Sequence, residues 1–370
     1  MRLPALLALS LLASPLNAQC GGHFSAFVDG LRAEAIAKGH DVGKTAAFFR
    51  TVQQDPKVLK ADRAQGVFQK PFTEFARRLI SQSRLDRGKA NATKFDATFD
   101  RIEADYGAVQ GDFNTLNALV TLAHDCRRPD LFRPQIFAAL ELSEHGDFDP
   151  ATTTGAWAGE IGMVQMLPAD ILENGVDGDG DGHVRLKTSA PDALLSGGKM
   201  LSGLGWRKGE PWLQEIVLPD RFDWSLTGLQ ESRTAQDWAA LGVRARTGAL
   251  TQDLPASVLI PEGHKGPAFL AYPNFRVYFE WNQSFVYVLT AAYFATRLDG
   301  APVFDARAPE PGLAGPDMQV LQGNLQARGH DVGKVDGILG QKTRDAVRIE
   351  QARLGLPVDG WPTVALLGRL

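Results

Sequence analysis

The sequence predicts a mainly α-helical protein with a small β/loop region, ending in a separate small three-helix domain. Three observations lead there. Apolar residues recur at helical spacing early in the chain, as in Phe27-Leu31-Ala35 and Phe72-Phe75-Leu79, so that one face of each segment is apolar. Short alternating runs such as Ala256-Ser-Val-Leu-Ile260 fall within one Pro- and Gly-containing stretch, roughly 215–276, where loops and a small strand pair are expected. Finally, Pro302, Pro309, Pro311, Gly312, Gly315 and Pro316 punctuate residues 301–316 as a linker, after which a compact tail, 317–370, begins.

In chain order, Met1-Arg2 and the apolar run Leu3–Leu16 precede Asn17-Ala18. A positive start, a short apolar core and a small residue at the exit describe a secretory signal peptide over 1–18, cleaved after Ala18. No later segment is apolar for long enough to span a bilayer. A lipid anchor on Cys20 is the other reading of this end, and Asn-Ala-Gln before it fits a lipid-attachment box poorly. In an exported chain the only two cysteines, Cys20 and Cys126, read as one disulfide, with two unpaired thiols as the alternative. Closing so long a loop stabilises by about 3–5 kcal/mol in the chain-entropy model.

The body, 19–300, is helical from Phe24 to about Leu122 and again along Pro134–Leu142. Ala190–Leu204 and Trp281–Leu298 are further helices, the second apolar nearly all round and therefore buried. In the tail a helix through Val320, Leu321 and Leu325 is followed by Asp336-Gly337-Ile-Leu-Gly340-Gln-Lys-Thr343 and a helix to Arg353. Leu356-Pro-Val-Asp359-Gly-Trp and a short last helix complete it. The glycines supply turns, and Thr343 is expected to cap the helix beginning near it.

A formal net charge of −4 with 44% hydrophobic residues excludes a general nucleic-acid role, which needs a strongly basic face. Gly39-His-Asp-Val-Gly43-Lys44-Thr45 imitates a phosphate loop, but three residues separate its glycines where four are needed and no apolar strand precedes it. Its echo, Gly329-His-Asp-Val-Gly-Lys334, has different flanks and is not a repeat.

Chemistry is concentrated at Glu103-Ala-Asp-Tyr-Gly107, which continues through Gly111-Asp-Phe-Asn-Thr-Leu-Asn117. A glutamate where an amphipathic helix (Phe95, Phe99, Ile102) gives way to a polar turn can sit half-buried. There its pKa rises and it holds a proton near neutral pH, as a general acid for glycosidic cleavage must. These words, with Tyr106 in the first, resemble the signature of lytic murein transglycosylases of the membrane-bound B type. The tail words Val-Asp-Gly-x-x-Gly-x-x-Thr and Leu-Pro-Val-Asp-Gly resemble the peptidoglycan-binding type 1 domain. The resemblance covers nearly all of the chain after Cys20, most strongly 108–212 and 268–298. It implies a lysozyme-like helical fold and non-hydrolytic cleavage of peptidoglycan between N-acetylmuramic acid and N-acetylglucosamine. One carboxyl group protonates the bridging oxygen and then takes the C6 hydroxyl proton as a 1,6-anhydro ring closes, outside the usual two-carboxylate scheme. No catalytic cofactor is required. The expected partners are glycan strands in the periplasm and cell-wall machinery, and the expected state is a monomer.

Three further stretches fit that resemblance. Gly155-Ala-Trp157-Ala-Gly159-Glu-Ile-Gly162-Met-Val-Gln165 offers an aromatic face, close-approaching backbone and an amide for a sugar. Met163 stands where the family usually has Gln. A tight helix–helix turn is the plainer reading of these glycines. Asp177-Gly-Asp179-Gly-Asp181-Gly182-His183 copies the opening of an EF-hand loop, but Thr188 occupies the position of the bidentate glutamate. The family's enlarged loop implies that Asp192 closes a structural calcium site with Asp177, Asp179, Asp181 and the carbonyl of His183, whereas an exposed acidic turn is the alternative. Tyr272-Pro-Asn and Trp281-Asn282-Gln-Ser284-Phe-Val-Tyr287 interleave aromatics with polar groups beside the implied active site, although Trp281 and Tyr287 suit a core equally.

Glu103 matches the family's catalytic position through the residues on its C-terminal side. Family members first show Arg-x-Glu-x-x-Tyr-Gly-Val-Pro, then an apolar helix, and only then the catalytic Glu. Here Arg101-Ile-Glu103 and its Tyr-Gly are fused directly to Ala108-Val-Gln-Gly, as though a helix-length segment between Gly107 and Ala108 were lost. Glu103 is then either the working acid or only the upstream landmark, and Glu160 is the next carboxylate to consider. The rival readings are a catalytically inactive wall-binding protein and a hydrolytic muramidase.

Overall fold

The computed structural model describes residues 20–64, 69–95, 110–250, 253–313 and 315–370. The expected signal peptide, Glu103, Tyr106 and the Phe99-Ile102 pattern lie outside the described residues. Two compact units divide the chain: Met1–Arg63 with Gln110–Glu173, and Ala64–Val109 with Asn174–Leu370.

The first unit opens with α1 (Phe24–Ala37), α2 (Val42–Phe48) and α3 (Pro56–Arg63). Two helices of the second unit come next, α4 (Phe72–Leu79) and α5 (Gln82–Phe95). The chain returns to the first unit with strand β1 (Phe113–Asn114), α6 (Thr115–His124), α7 (Pro129–His145), strand β2 (Thr154–Gly155) and α8 (Pro168–Asn174). The second unit then resumes with α9 (Ala190–Gly203), β3 (Leu213–Val217), β4 (Arg233–Thr234), α10 (Ala235–Ala240) and β5 (Arg244–Ala245). It continues through β6 (Pro255–Leu259), β7 (Ala268–Ala271), α11 (Pro273–Trp281) and α12 (Phe285–Leu298). The tail adds α13 (Gly315–Ala327), α14 (Gln341–Arg353) and α15 (Val364–Leu367).

Helix α6 is the axis of the first unit. Leu116, Leu119, Val120 and Leu122 are buried along with Thr115 and Thr121. Asn114 starts the helix, its side chain accepting the Asn117 amide at 2.8 Å, which satisfies an otherwise orphaned N–H. Helix α7 begins with Pro129 and stops at Gly146, whose φ of 89° suits glycine. Strands β1 and β2 pair antiparallel, Phe113 with Gly155 and Asn114 with Thr154. The Cys20–Cys126 disulfide forms with a Cα–Cα distance of 5.1 Å, tying the start of the described chain to the end of α6.

The second unit departs from the expected strand pair. It contains a five-stranded antiparallel sheet ordered β4-β6-β7-β3-β5. Its outer strands are two residues long, too short to alternate visibly, and β7 is buried on both faces, so polar alternation is absent. Along β7, Phe269 and Ala271 join one core with Phe72, Phe275, Tyr278 and Leu289. Ala268 and Leu270 join another with Trp238 and Phe222. The helix expected over 281–298 begins later, at Phe285 with Ser284 as its cap, and Trp281 instead ends α11.

The stretch expected as a linker is irregular in backbone yet fastened. Phe304 is buried against Phe72, Phe269 and Tyr293, and the Asp305 amide donates to Glu215 at 2.8 Å. The tail packs α13, α14 and α15 around Leu321, Leu325, Val347 and Leu366. Gly340, not Thr343, is the N-cap of α14. Thr343 is buried one turn in, where its hydroxyl donates to the Val332 carbonyl and accepts from Gln322.

In the first unit Asp62, 1% exposed, bridges Arg127 and Arg128, each at 2.5 Å. Asp62→Ala is expected to lower unfolding stability by about 3 kcal/mol, near the lower end for breaking a buried pair because both arginines reach solvent. Arg127→Ala, which leaves Arg128 in place, should cost less. Urea unfolding of the two variants checks the order.

Candidate functional site

In the first unit the glycine-rich run forms a folded turn. The Ala156 amide donates to the Glu160 carbonyl at 2.8 Å, Gly159 donates back to Ala156, and Ile161 bridges Met166. Gly159 has φ +92°, and a Cβ there would lie 2.3 Å from a Leu119 methyl on α6. Glycine is therefore required by packing on α6 as well as by the backbone angle. Gln165 adopts φ 51° without being glycine, and its side-chain Nε2 donates to the Gly162 carbonyl at 2.7 Å, so part of its amide serves the turn. Trp157 is half-buried. The Arg128 guanidinium lies 5.9 Å from the Trp157 ring centroid and 5.0 Å from that of Phe132, within cation–π range, while Asp62 holds its other side.

Glu160 is the one carboxylate within this run. Burial pushes its carboxyl above the usual range, against hydrogen bonds from its own and the Ala158 backbone and the nearby Arg128 charge. Its Oε2 is shut off from water without a hydrogen-bond partner, as are Gln110 Oε1 and Thr115 Oγ1. All three belong to the neighbourhood of Gly155. A Cβ on Gly155 would fall 2.0 Å from the Glu160 carbonyl oxygen and 3.1 Å from Thr115 Oγ1, and one on Gly111, beside Gln110, 2.0 Å from the Gly155 carbonyl oxygen. Sequence reading found Glu160 as the only acid among the glycines. Gln110 and Thr115 lie within the signature stretch before Asn117, where their residue types do not mark them as unpartnered, and Arg128 belongs to no motif.

In the second unit the acidic loop gathers Asp177, Asp179 and Asp192, which offer carboxylate oxygens within 4.8 Å of one another. Asp192 is fully buried at the start of α9, accepting from the Gly178 amide at 2.9 Å and the Arg185 amide at 2.7 Å. Asp177 is held ionised below the usual range, first by the Gly182 amide and further by those of Gly180 and Asp181. Asp179 accepts from the Ser189 hydroxyl at 2.6 Å. The Asp181 carboxylate pairs with Arg185 and accepts the His183 amide, while the Asp181 amide donates to Asp177 at 3.1 Å and to Asp179 at 3.3 Å. Converging acceptor-only oxygens, one fully buried, fit a hard oxygen-seeking cation such as calcium.

At the α11–α12 junction Asn282 Oδ1 accepts the Ser284 amide at 2.9 Å, and Ser284 Oγ accepts the Tyr287 amide at 3.5 Å. The Trp281 and Tyr287 rings meet edge-on, centroids 6.3 Å apart. Trp281, Asn282, Ser284 and Tyr287 are all half-buried. Tyr272 is only 1% exposed in the core beside Trp238. Its hydroxyl bonds Gln214 at 3.1 Å, so its ring is spent on packing.

The family model described as the transglycosylase SLT domain matches residues 23–108 and 101–296, so that 101–108 is matched twice. A peptidoglycan binding domain matches 314–370. Membrane-bound lytic murein transglycosylase B of Escherichia coli (strain K12) is 32% identical over 110 residues, 30% of this chain and 30% of that protein. The match thus spans less than a third of that curated relative. Among solved structures, SltB3 from Pseudomonas aeruginosa in complex with NAG-NAM-pentapeptide is 36% identical with a TM-score of 0.86, covering 94% of this chain and 100% of that one. Slt35 from Escherichia coli, in complex with calcium, is 21% identical with a TM-score of 0.62, covering 76% and 96%, a likeness of fold alone.

Because the raised carboxyl of Glu160 keeps its proton in the fold, the unfolded chain releases that proton first as pH climbs past the ordinary value of 4.5. Stability from this group is therefore complete at low pH and declines as pH rises through the folded value. Glu160→Gln cannot ionise. Its melting temperature relative to wild type should improve from pH 4 to pH 7, a trend that differential scanning calorimetry at several pH values checks.

Proposed function

The chain belongs to the transglycosylase SLT domain family, and on that premise we propose that it cleaves peptidoglycan without water, at the MurNAc–GlcNAc bond, leaving 1,6-anhydromuramoyl ends. The observation that carries this is the likeness over nearly the whole chain to SltB3, whose solved complexes hold NAG-NAM-pentapeptide and NAG-anhNAM-pentapeptide. The latter sugar is the anhydro product such a reaction leaves. The peptidoglycan binding tail supports the same substrate. Action in the periplasm after export accords with that substrate, and among the described residues no helix is long and apolar enough to cross a membrane.

Glu103 is the proposed acid and base. Protonated, it gives its proton to the glycosidic oxygen as the bond to muramic acid C1 breaks. As a carboxylate it takes the C6 hydroxyl proton while O6 bonds C1, so one group serves both steps. In the first unit Trp157 would stack on a pyranose, Gly159 would bring backbone close to it and Gln165 would present its amide, with Arg128 stiffening the indole. In the second unit Asn282, Ser284 and Tyr287 would line a sugar surface, with Trp281 as the edge of its aromatic wall. The double match of residues 101–108 supports reading this stretch as a fusion of two family positions, with Glu103 serving where two glutamates otherwise stand.

Digestion of purified sacculi by the mature protein and by Glu103→Gln, read by mass spectrometry, tests the proposal. Anhydro-muropeptides from the wild type, reduced at least 100-fold in the variant as for the loss of an acid–base group, are expected. Products with reducing ends would make it a hydrolase, and intact sacculus binding without products would leave a wall-binding protein.

Asp177, Asp179 and Asp192 would hold a structural calcium ion, whose charge would offset their mutual repulsion and brace the loop against α9. Calcium at 100 times its dissociation constant should stabilise by about 2.7 kcal/mol. A rise in melting temperature with calcium, reversed by EGTA and absent in Asp192→Ala, is the expected result.

A further inference from the structure

One buried cation joins the tail to the junction between α11 and α12. Arg344, on α14, is 6% exposed. Its Nη2 donates to the Pro261 carbonyl at 2.8 Å, and its Nε is buried without a hydrogen-bond partner. The guanidinium carbon lies 5.1 Å from the ring centroid of Phe285 and 5.8 Å from that of Trp361. Burial lowers its pKa to about 10, so it stays charged at neutral pH. Asp359, Glu262 and Asp345 favour that charge and Arg348 opposes it. Its close contacts are thus one carbonyl and two aromatic faces, a setting that suits a planar guanidinium rather than an ammonium.

The docking of the tail does not depend on Arg344. The His264 amide and ring both meet Asp359, which Gln351 and the Trp361 amide hold from within the tail. Gly263, at φ +75°, lies so close that a Cβ would fall 2.8 Å from Asp359 and Trp361 atoms. Arg348 reaches Thr227 at 3.3 Å. Among these residues Arg344 differs in its target. Phe285 is the first residue of α12, directly after the Ser284 cap and two before Tyr287, and its ring also packs 6.2 Å from Phe279 of α11. A hold on Phe285 is therefore a hold on the turn that presents Asn282, Ser284 and Tyr287.

We propose that Arg344 is a positioning residue for the sugar surface at the α11–α12 junction, acting through Phe285, so that the tail shapes glycan binding in the body as well as binding the wall itself. This rests on the reading of Asn282, Ser284 and Tyr287 given under Proposed function.

Calorimetric titration of the full chain with chitotetraose, a soluble N-acetylglucosamine tetramer, reads this binding whether or not the chain turns over. Arg344→Met should weaken chitotetraose about five- to tenfold, the scale of coupling between residues in contact, while its sacculus pull-down and melting temperature stay near wild type. Arg344→Lys should not restore binding, since an ammonium does not spread over a ring. Phe285→Leu should show the same loss, and the double variant should be no worse than either single one. Arg348→Met, which touches Thr227 and not α12, should bind as wild type. Wild-type affinity in Arg344→Met, or an equal loss in Arg348→Met, would overturn the proposal while leaving the sugar surface standing. Failure of the wild type to bind chitotetraose would instead overturn the sugar surface and the proposal together.

Discussion

The first unit depends on one constraint: a helix buried along nearly all of its length, α6, needs partners for most of the polar groups at its ends and edges. Asn114 caps its start. Asn117 and Thr121 side chains accept the amides of Gln53 and Asp55 from the segment before α3. Asp125 receives Arg63, the disulfide fixes Cys126, and Asp62 gathers the next two residues, both arginines. Buried polar groups without partners cost free energy comparable to a lost hydrogen bond, so these attachments locate α1–α3 as firmly as apolar contact does. The glycine run lies on the same helix, where Leu119 leaves no room for a side chain at residue 159.

Against that background the unanswered atoms stand out. Gln110, Thr115 and Glu160 keep buried oxygens without partners, close to one another around Gly155. The second unit treats its acids in the opposite way. Asp177 accepts amide donors and is driven toward ionisation, whereas Glu160 is denied enough of them and driven toward its neutral form. Two carboxyl groups in glycine-rich turns are therefore shifted in opposite directions, Glu160 upward chiefly by burial and Asp177 downward chiefly by the amides aimed at it.

The helices were legible because their apolar period is strong, as at Phe27-Leu31-Ala35, and the small β region was legible only as to place. Its extent was hidden: β7 is Ala-Phe-Leu-Ala, buried on both faces, and pairs with β3 in a register that runs from Leu213 with Ala271 to Ile216 with Ala268, so that register is written in tertiary contacts. The break at Asn282–Ser284 lay in plain view, an Asn and a Ser capable of capping, but the apolar run on either side outweighed them. Thr343 is a cap by residue type, but its hydroxyl is buried one turn into α14, bonded to Gln322 and to the Val332 carbonyl. Of the candidate site, the acidic loop was legible down to Asp192. The burial of Tyr272 was not legible, since an aromatic residue beside Pro and Asn reads as a surface word while the N-cap of α11, directly after β7, lies in the core. Arg128 and Arg344 were invisible, since their roles come from rings brought near by the fold.

The strap between the helical body and the tail has a consequence for how two glycan contacts combine. A loose connection would let the tail act as a leash, raising the effective concentration of strand near the body in a way set by linker length. With Phe304 locked among Phe72, Phe269 and Tyr293 and Asp305 tied to Glu215, there is no such search volume. If, as proposed, the tail and the body each hold glycan, the gain from holding both would fall to polymers whose repeat and curvature match a fixed separation. On that reading the tail would gauge strand geometry instead of serving as a leash.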